Sequence, residues 1–289
     1  MIDGARTLLP ELRERVRRIE RPPATEHGIL PFGVAAIDRA LPGDGLARGA
    51  LHEILGMGGD EEDCTLASAF AATIIGRLAA SPTSSFHSSP APTLTLPRAR
   101  GREWEAGEGR GEGGMVLWCL PRPDLYGPGL AAHGLDPERV VLVRTSRDAE
   151  ILWAMEEGLR SPGIVVVVGE VGTLLAVASR RLQLAAERSG VTAFLLRRWR
   201  EGGQAARERA LPNAAMTRWR VAALPSQPFR GEPGVGRARW LVELLRCRGG
   251  EPRCWEMEVP DATDHVSRAA ALADRPAVPV ASEKRRRAG

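Results

Sequence analysis

Apolar runs and helix-like segments alternate regularly between residues 115 and 196. The pattern predicts strands at Met115–Leu120, Val140–Arg144, Ile164–Val168 and Thr192–Leu196, and helices at Pro123–His133, Asp148–Leu159 and Leu174–Ser189. A continuous apolar run such as residues 164–168 suits a strand that is buried on both faces. The alternation therefore predicts an α/β fold with a mostly parallel sheet flanked by helices.

Beyond about residue 216 the chain carries strand patterns without helices between them. They cover Thr217–Ala222, Ala238–Arg246 and Cys254–Val259. Arg218 and Arg220 alternate with Trp219 and Val221, which is typical of a strand with one face in water. We therefore expect the C-terminal strands to extend the sheet in an antiparallel manner.

The segment before residue 66 is laid out like the entry to a nucleotide-binding domain. A helix pattern at Val34–Leu41 leads to a strand at Leu51–Leu55 and then a glycine loop of Gly56, Gly58 and Gly59, followed by a helix over Cys64–Leu78. A working phosphate loop ends in Gly-Lys-Ser/Thr, where the lysine contacts the terminal phosphates and the hydroxyl holds Mg²⁺.

Acidic residues replace that group in this chain. Glu61, Glu62 and Asp63 stand where the lysine and hydroxyl belong, and the sole lysine of the chain is Lys284. Carboxylates at contact distance would repel phosphates. The sequence therefore predicts a degenerate phosphate loop, with no nucleotide cofactor and no enzymatic activity.

Glu170 follows the predicted strand at Ile164–Val168, where an ATPase would place a Mg²⁺-holding aspartate. The carboxyl end of a strand in an open α/β sheet is a common position for a binding site. Because the opposing loop is acidic, we interpret Glu170 as a vestigial strand end in preference to a metal ligand. The spacing of the histidines and cysteines predicts no metal site.

Three segments differ from the predicted core at residues 25–260. Residues 1–24 contain an amphipathic helix with Leu8, Leu12, Val16 and Ile19 on one face, which either docks on the core or binds a partner. Residues 81–113, rich in Ser, Pro, Gly, Arg and Glu, are predicted to be a disordered insertion. Residues 261–289 are expected to form a flexible basic tail.

Charge and cysteine content narrow the classes of function only slightly. The net charge is +4, so the overall balance does not require a nucleic-acid partner. No apolar run is long enough to span a membrane. We expect a cytoplasmic protein with unpaired thiols, and a Cys247–Cys254 bridge is the less favoured alternative.

The segment Phe32–Gly56 resembles the start of the RecA-type ATPase core, with its helix, glycine turn and loop-bearing strand. Further segments resemble the ImuA family, whose members are RecA-like proteins encoded with ImuB, a Y-family polymerase homologue, in bacterial damage-response cassettes. These segments are Leu117–Cys119, Asp124–Leu130, Leu152–Arg160, Ala178–Glu187, Thr217–Val221 and Gly236–Gly250. The resemblance covers most of residues 28–250, apart from the insertion.

The resemblance implies a RecA-like fold and a non-catalytic accessory role in SOS-induced, error-prone translesion DNA synthesis. It also implies contacts with ImuB, and points to RecA and an error-prone replicative-type polymerase as further partners. Two alternatives stay open from the sequence. One is an active ATPase with an unorthodox phosphate site, and the other is a RecA-mimicking regulator of filament growth or cell division.

Two arginine-rich segments are candidates for contact with DNA or a partner protein. Arg180 and Arg181 lie in the region where RecA-type proteins present DNA-binding loops. The second segment follows the next strand and contains Arg197, Arg198, Trp199 and Arg200. Arginine beside an exposed aromatic ring suits single-stranded DNA. The alternative is an arginine-rich loop that only contacts water.

Overall fold

A computed structural model describes residues 27–57, 60–80, 114–199, 207–209, 211–227, 234–259 and 275–276. Several predicted features lie outside these residues: the helix with Leu8, Leu12, Val16 and Ile19, the insertion at 81–113, most of the C-terminal tail, Gly58, Gly59 and Arg200. Those predictions stay untested.

The described chain alternates strands with helices in its central part. The strands are β1 (Ile29–Leu30), β2 (Leu46–Ala47), β3 (Leu51–Gly56), β4 (Met115–Leu120), β5 (Val140–Arg144), β6 (Ile164–Val171), β7 (Thr192–Arg197), β8 (Thr217–Gln227), β9 (Arg237–Cys247), β10 (Arg253–Glu258) and β11 (Arg275–Pro276). The helices are α1 (Ala35–Asp38), α2 (Asp60–Ala80), α3 (Gly127–Ala132), α4 (Asp148–Gly158) and α5 (Ala176–Ser189), and a short 3₁₀ turn covers Pro137–Arg139. None of the helices in the described ranges is long and apolar enough to cross a membrane.

Within the described residues, nine strands form one sheet in the order β11-β10-β9-β8-β3-β7-β6-β4-β5. The strands from β8 to β5 in this order pair in parallel. Strands β8 to β11 pair antiparallel with one another. The predicted fold, a RecA-like α/β core with a mostly parallel sheet and antiparallel C-terminal strands, is confirmed by this topology.

The hydrophobic core has two layers because alternate residues of the central strands point to opposite faces. Trp118, Val168 and Phe194 pack with α2 and α3 on one face. Leu195 and Val167 pack with α4 and α5 on the other. The central strands are therefore buried on both sides, as their continuous apolar runs predict.

Several element boundaries differ from the sequence predictions. The first helix spans only Ala35–Asp38 instead of Val34–Leu41, and α3 covers only part of Pro123–His133. Helix α2 begins at Asp60 instead of Cys64, so Glu61, Glu62 and Asp63 belong to its first turn and not to a loop. Strand β8 pairs in parallel with β3, so it joins the parallel sheet to the antiparallel extension.

Two cysteines are buried as free thiols. Burial raises the pKa of Cys119 to about 12 and the pKa of Cys247 to about 11. The alternative of a Cys247–Cys254 bridge is wrong, since the two residues lie on neighbouring strands at positions that do not face each other. Both buried thiols stay protonated near neutral pH and behave as apolar core groups.

Candidate functional site

The carboxyl ends of the parallel strands meet at one edge of the sheet. Strands β3 and β7 are neighbours in the sheet. After β3 the chain crosses to β4 on one side of this pair, and after β7 it crosses to β8 on the other side. Such a reversal opens a crevice beyond the strand ends, and ligands of open α/β proteins bind there. The crevice here lies beside Gly56 of β3 and Arg197 of β7.

Glu170 is fully buried within β6 and carries a complete set of protein partners. Trp118 Nε1 donates to Glu170 Oε1 at 2.8 Å, and Arg198 donates to Glu170 Oε2 at 2.8 Å. The other terminal nitrogen of Arg198 donates to Asp124 at 2.5 Å. The prediction that the strand ends before Glu170 is wrong, because β6 continues to Val171 and the carboxylate lies inside an ion pair.

A second buried cluster surrounds Glu53 of β3. Arg218 and Asn213 both donate to Glu53 Oε2, the latter at 2.7 Å. Arg197 lies 3.5 Å from Glu53 Oε1 and donates to Glu208 at 2.6 Å. Each arginine charge in this cluster is therefore compensated by a carboxylate within the protein.

Trp199 is buried beside two guanidinium groups. The central carbons of Arg197 and Arg209 lie 5.4 and 5.1 Å from its ring centroid, within cation–π range. Its ring nitrogen donates to the carbonyl of Gly172 at 3.0 Å. The expectation of an exposed Trp199 flanked by exposed Arg197 and Arg198 is therefore wrong, because acidic partners and the tryptophan ring hold both arginines in the interior.

Arg209 extends this cluster to the start of the predicted phosphate loop. It donates to the carbonyl oxygens of Gly56 and Met57 at 3.0 and 2.8 Å. A phosphate loop presents backbone N–H groups to its ligand. Here an arginine of the same chain instead binds carbonyl oxygens at the entry to that loop. We call Arg197, Arg198, Trp199 and Arg209 the arginine plug.

Arg180 and Arg181 are exposed on the second turn of α5. Arg181 donates to Glu156 of α4 at 2.5 Å. The Thr173 N–H, in the segment just before α5, donates to Asp148 of α4 at 2.7 Å. The structure therefore keeps the first arginine segment on the surface and separates it from the buried second segment.

A cleft of about 170 Å³ opens beside Glu170, between α2 and α3. Its polar lining consists of Thr65, Ser68, Asp124, Tyr126, His133, Glu170 and Arg198. Arg198 and the two carboxylates that bind it, Glu170 and Asp124, are among these lining residues. The buried ion pair therefore contributes charged groups to the wall of the cleft.

His52 is a buried titratable group near the start of β3. Its Nε2 lies 2.8 Å from the carbonyl oxygen of Ala47, so that nitrogen carries the proton and donates. Its Nδ1 accepts from the hydroxyl of Thr217 at 2.8 Å, and Trp219 Nε1 donates to the same hydroxyl at 2.7 Å. Burial lowers the pKa of His52 to about 4, so the folded protein holds a neutral ring.

Comparison with known proteins decides the family. Two proteins named ImuA, from two strains of Caulobacter vibrioides, are each 34% identical to this chain over 236 residues, which is 81% of this chain and 84% of theirs. The chain belongs to the ImuA family. A solved structure of a KaiC-like protein from Pyrococcus horikoshii OT3 is also similar, at 12% identity and a TM-score of 0.46 over 86% of this chain and 99% of that one. No family model matches the chain.

The described residues of this ImuA-family protein do not fit a magnesium–nucleotide complex. Both oxygens of Glu170 already accept hydrogen bonds from Trp118 and Arg198. Arg209 lies on the entry of the loop, and the following helical turn is acidic in sequence. Within the described residues, no group of three or more His, Cys, Asp or Glu side chains could hold a metal ion.

Sequence reasoning missed the acidic partners of the buried arginines. Asp124 lies 74 residues from Arg198, and Glu53 lies 165 residues from Arg218, so no local spacing connects these pairs. One signal was present in the sequence, because Glu53 introduces a charge into the strand at Leu51–Leu55 and a buried charge requires a partner. That signal indicates that a partner exists but does not say which residue it is.

Proposed function

We propose that this protein is a non-catalytic, RecA-like adaptor in damage-induced, error-prone translesion DNA synthesis. Its primary partner in this proposal is the ImuB-type Y-family polymerase homologue, with RecA and an error-prone replicative-type polymerase as further contacts. It works without nucleotide. Membership of the ImuA family supports the cellular role, and the arginine plug supports the absence of catalysis.

The proposal rests on the hydrogen bonds that protein side chains make at the crevice beyond β3 and β7. In an ATPase this crevice must accept a triphosphate and its metal ion. In this chain Arg209 donates to the carbonyls of Gly56 and Met57 at the end of β3. Trp199 donates to the carbonyl of Gly172 just after β6. Protein side chains therefore already make hydrogen bonds at the ends of β3 and β6, which supports the proposal that no nucleotide binds there.

Electrostatics favour the same conclusion. Glu53, Glu170 and Glu208 hold Arg197 and Arg198 in buried ion pairs, so a phosphate would have to compete with these carboxylates for the two guanidinium groups. Removing one partner from a buried pair typically costs about 3–5 kcal/mol. A nucleotide that recruited these arginines would have to offset that cost and also the repulsion from the acidic run at residues 60–63.

Calorimetric titration of the full chain with ATP and Mg²⁺ tests the absence of nucleotide binding. We expect no binding heat and no turnover at millimolar ATP. RecA, measured in the same buffer, is the positive control. A dissociation constant in the micromolar range would contradict the proposal and favour the ATPase alternative.

Co-expression with ImuB from the same organism tests the adaptor role. We expect the two proteins to co-purify from damaged cells and from a recombinant host, with or without ATP in the buffer. The RecA-mimicking alternative instead requires inhibition of RecA filament growth in a DNA-dependent assay. Filament inhibition without ImuB capture would reject the adaptor.

A further inference from the structure

Strand β5 forms one edge of the sheet and carries exposed apolar side chains. In the described part of the chain, β5 pairs with β4 on one side and has no strand on its other side. Leu142 is 55% exposed and Val141 is 42% exposed, whereas β4 and β6 are buried along most of their length. An open edge with apolar side chains is a template for pairing with a further strand.

The backbone groups of Leu142 and Arg144 point away from β4. The Thr145 N–H donates to the carbonyl of Leu120 on β4 at 3.2 Å. Backbone groups of successive strand residues point to opposite sides, so the even-numbered residues of β5 direct theirs to the outer edge. The N–H of Val140 already donates to the preceding 3₁₀ turn. The donors that this edge offers to another strand are therefore those of Leu142 and Arg144.

Strand β5 lacks the features that protect most edge strands, which are lysine, proline and bulges. Residues Val140–Arg144 read Val-Val-Leu-Val-Arg, with their one charge at the C-terminal end. They pair with β4 without a register shift. The strand at the opposite edge, β11, contains Pro276, which has no N–H to donate. Of the two edges, β5 is therefore the one suited to accept a strand.

We infer that β5 pairs antiparallel with β5 of a second copy of this chain, about a twofold axis through Leu142. A twofold axis perpendicular to the sheet brings the same strand of both copies together and runs them in opposite directions. Full overlap of the five residues of β5 then puts Leu142 opposite its counterpart and Val141 opposite Val143 of the second copy. Apolar side chains that are exposed in the monomer thus cover one another on both faces of the joined sheet.

Charge supports a second copy as the occupant of this edge. In the proposed register Arg144 lies opposite Val140 of the second copy and close to the Glu138 that precedes β5 there. Diagonal neighbours across a strand pair are within reach of long side chains, and opposite charges there are favourable. Arg144 and Glu138 are both exposed, and neither forms an ion pair within the described residues. The symmetry makes this contact twice, so the edge is complementary to itself in charge as well as in apolar surface.

Sedimentation velocity of the full-length chain over a range of concentrations tests the pairing. We expect a monomer–dimer equilibrium, because a five-residue strand pair is a small contact of the kind found in weak, transient associations. Leu142→Lys should weaken the dimer at least about ten-fold, since lysine on an edge strand opposes pairing. Val235→Lys, at a side chain that is 90% exposed between β8 and β9, is the matched control and should leave the equilibrium unchanged. Circular dichroism and melting temperature should be the same for both variants.

A charge exchange tests the register. Arg144→Glu should weaken the dimer about ten-fold, because it brings like charges together at both symmetric contacts. Adding Glu138→Arg to this variant restores opposite charges and should return the dimer to nearly wild-type affinity. Such a rescue is not expected of residues that only support the fold of the monomer.

Four results would overturn the inference. A wild-type chain that stays monomeric, with the amides of residues 142 and 144 exchanging freely, rejects any pairing of this edge. A dimer that neither Leu142→Lys nor Arg144→Glu weakens places the contact elsewhere. If the wild type is monomeric and Leu142→Lys abolishes capture of the ImuB homologue, the edge binds a partner's strand instead. If the wild type is monomeric and these amides are protected from exchange at every concentration, a segment of the same chain covers the edge.

Discussion

The buried pair of Arg198 and Glu170 gives a quantitative test of the arginine plug. Arg198→Met keeps a side chain of similar length but removes the charge that faces Glu170 Oε2 at 2.8 Å. Both side chains are buried, so the remaining carboxylate loses the charge that compensates its burial. Breaking such a pair from one side typically costs about 3–5 kcal/mol. For a chain of this size the melting temperature should fall by roughly 10 °C.

The companion variant separates loss of the pair from loss of packing. Glu170→Gln combined with Arg198→Met removes the stranded charge, while the amide oxygen still accepts from Trp118 Nε1. We therefore expect the double variant to regain most of the lost stability. Urea denaturation followed by circular dichroism measures each free energy of unfolding. Arg180→Met is the matched control at an exposed arginine and should change stability by less than about 0.5 kcal/mol.

Two outcomes would refute this reasoning. A loss below about 1 kcal/mol in Arg198→Met would mean that Glu170 does not depend on the arginine. Restoration of that variant by added Mg²⁺ would mean that Glu170 is a metal ligand which Arg198 only masks. The second outcome would also revive the ATPase alternative.

The remaining predictions concern pH, the insertion and the N-terminal helix. Burial lowers the pKa of His52 from 6.5 to about 4, so the neutral ring contributes stability that is fully present above pH 6.5. About 3 kcal/mol of unfolding free energy should be lost as pH falls from 6.5 to 4. Urea titrations at several pH values should show this loss for wild type and not for His52→Gln. Deleting residues 82–112 should leave the melting temperature nearly unchanged, and a fall of many degrees would show that the segment packs on the core. Changing Leu12 and Val16 to Asp should abolish ImuB capture while the circular dichroism of the core is retained; capture that survives those changes and removal of residues 262–289 would place the whole contact on the core.

Local patterns predicted the sheet but not the chemistry at its edge. The run at residues 164–168 has the composition of a strand buried on both faces, and β6 is such a strand. By contrast, Arg197 and Arg198 were expected in water, because arginine is rarely buried unless it is paired. Their partners Glu53 and Glu170 come from other strands, and only the folded sheet brings them together. The start of α2 differs from the prediction for another reason. Glu61, Glu62 and Asp63 are predicted to belong to the phosphate loop, but they lie in the first turn of a helix, where negative charge is favourable.

The segment that follows β6 is bonded to the same elements as the arginine plug. Glu170 and Gly172 accept hydrogen bonds from Arg198 and Trp199, and the Thr173 N–H donates to Asp148 at the start of α4. A ligand shifts a conformational equilibrium only if it binds one state better than another. In our proposal the protein binds no nucleotide, so its affinity for a protein partner should not depend on ATP or ADP. Binding of the ImuB homologue measured with and without ATP tests this expectation, and an affinity that changes with nucleotide would contradict the proposal.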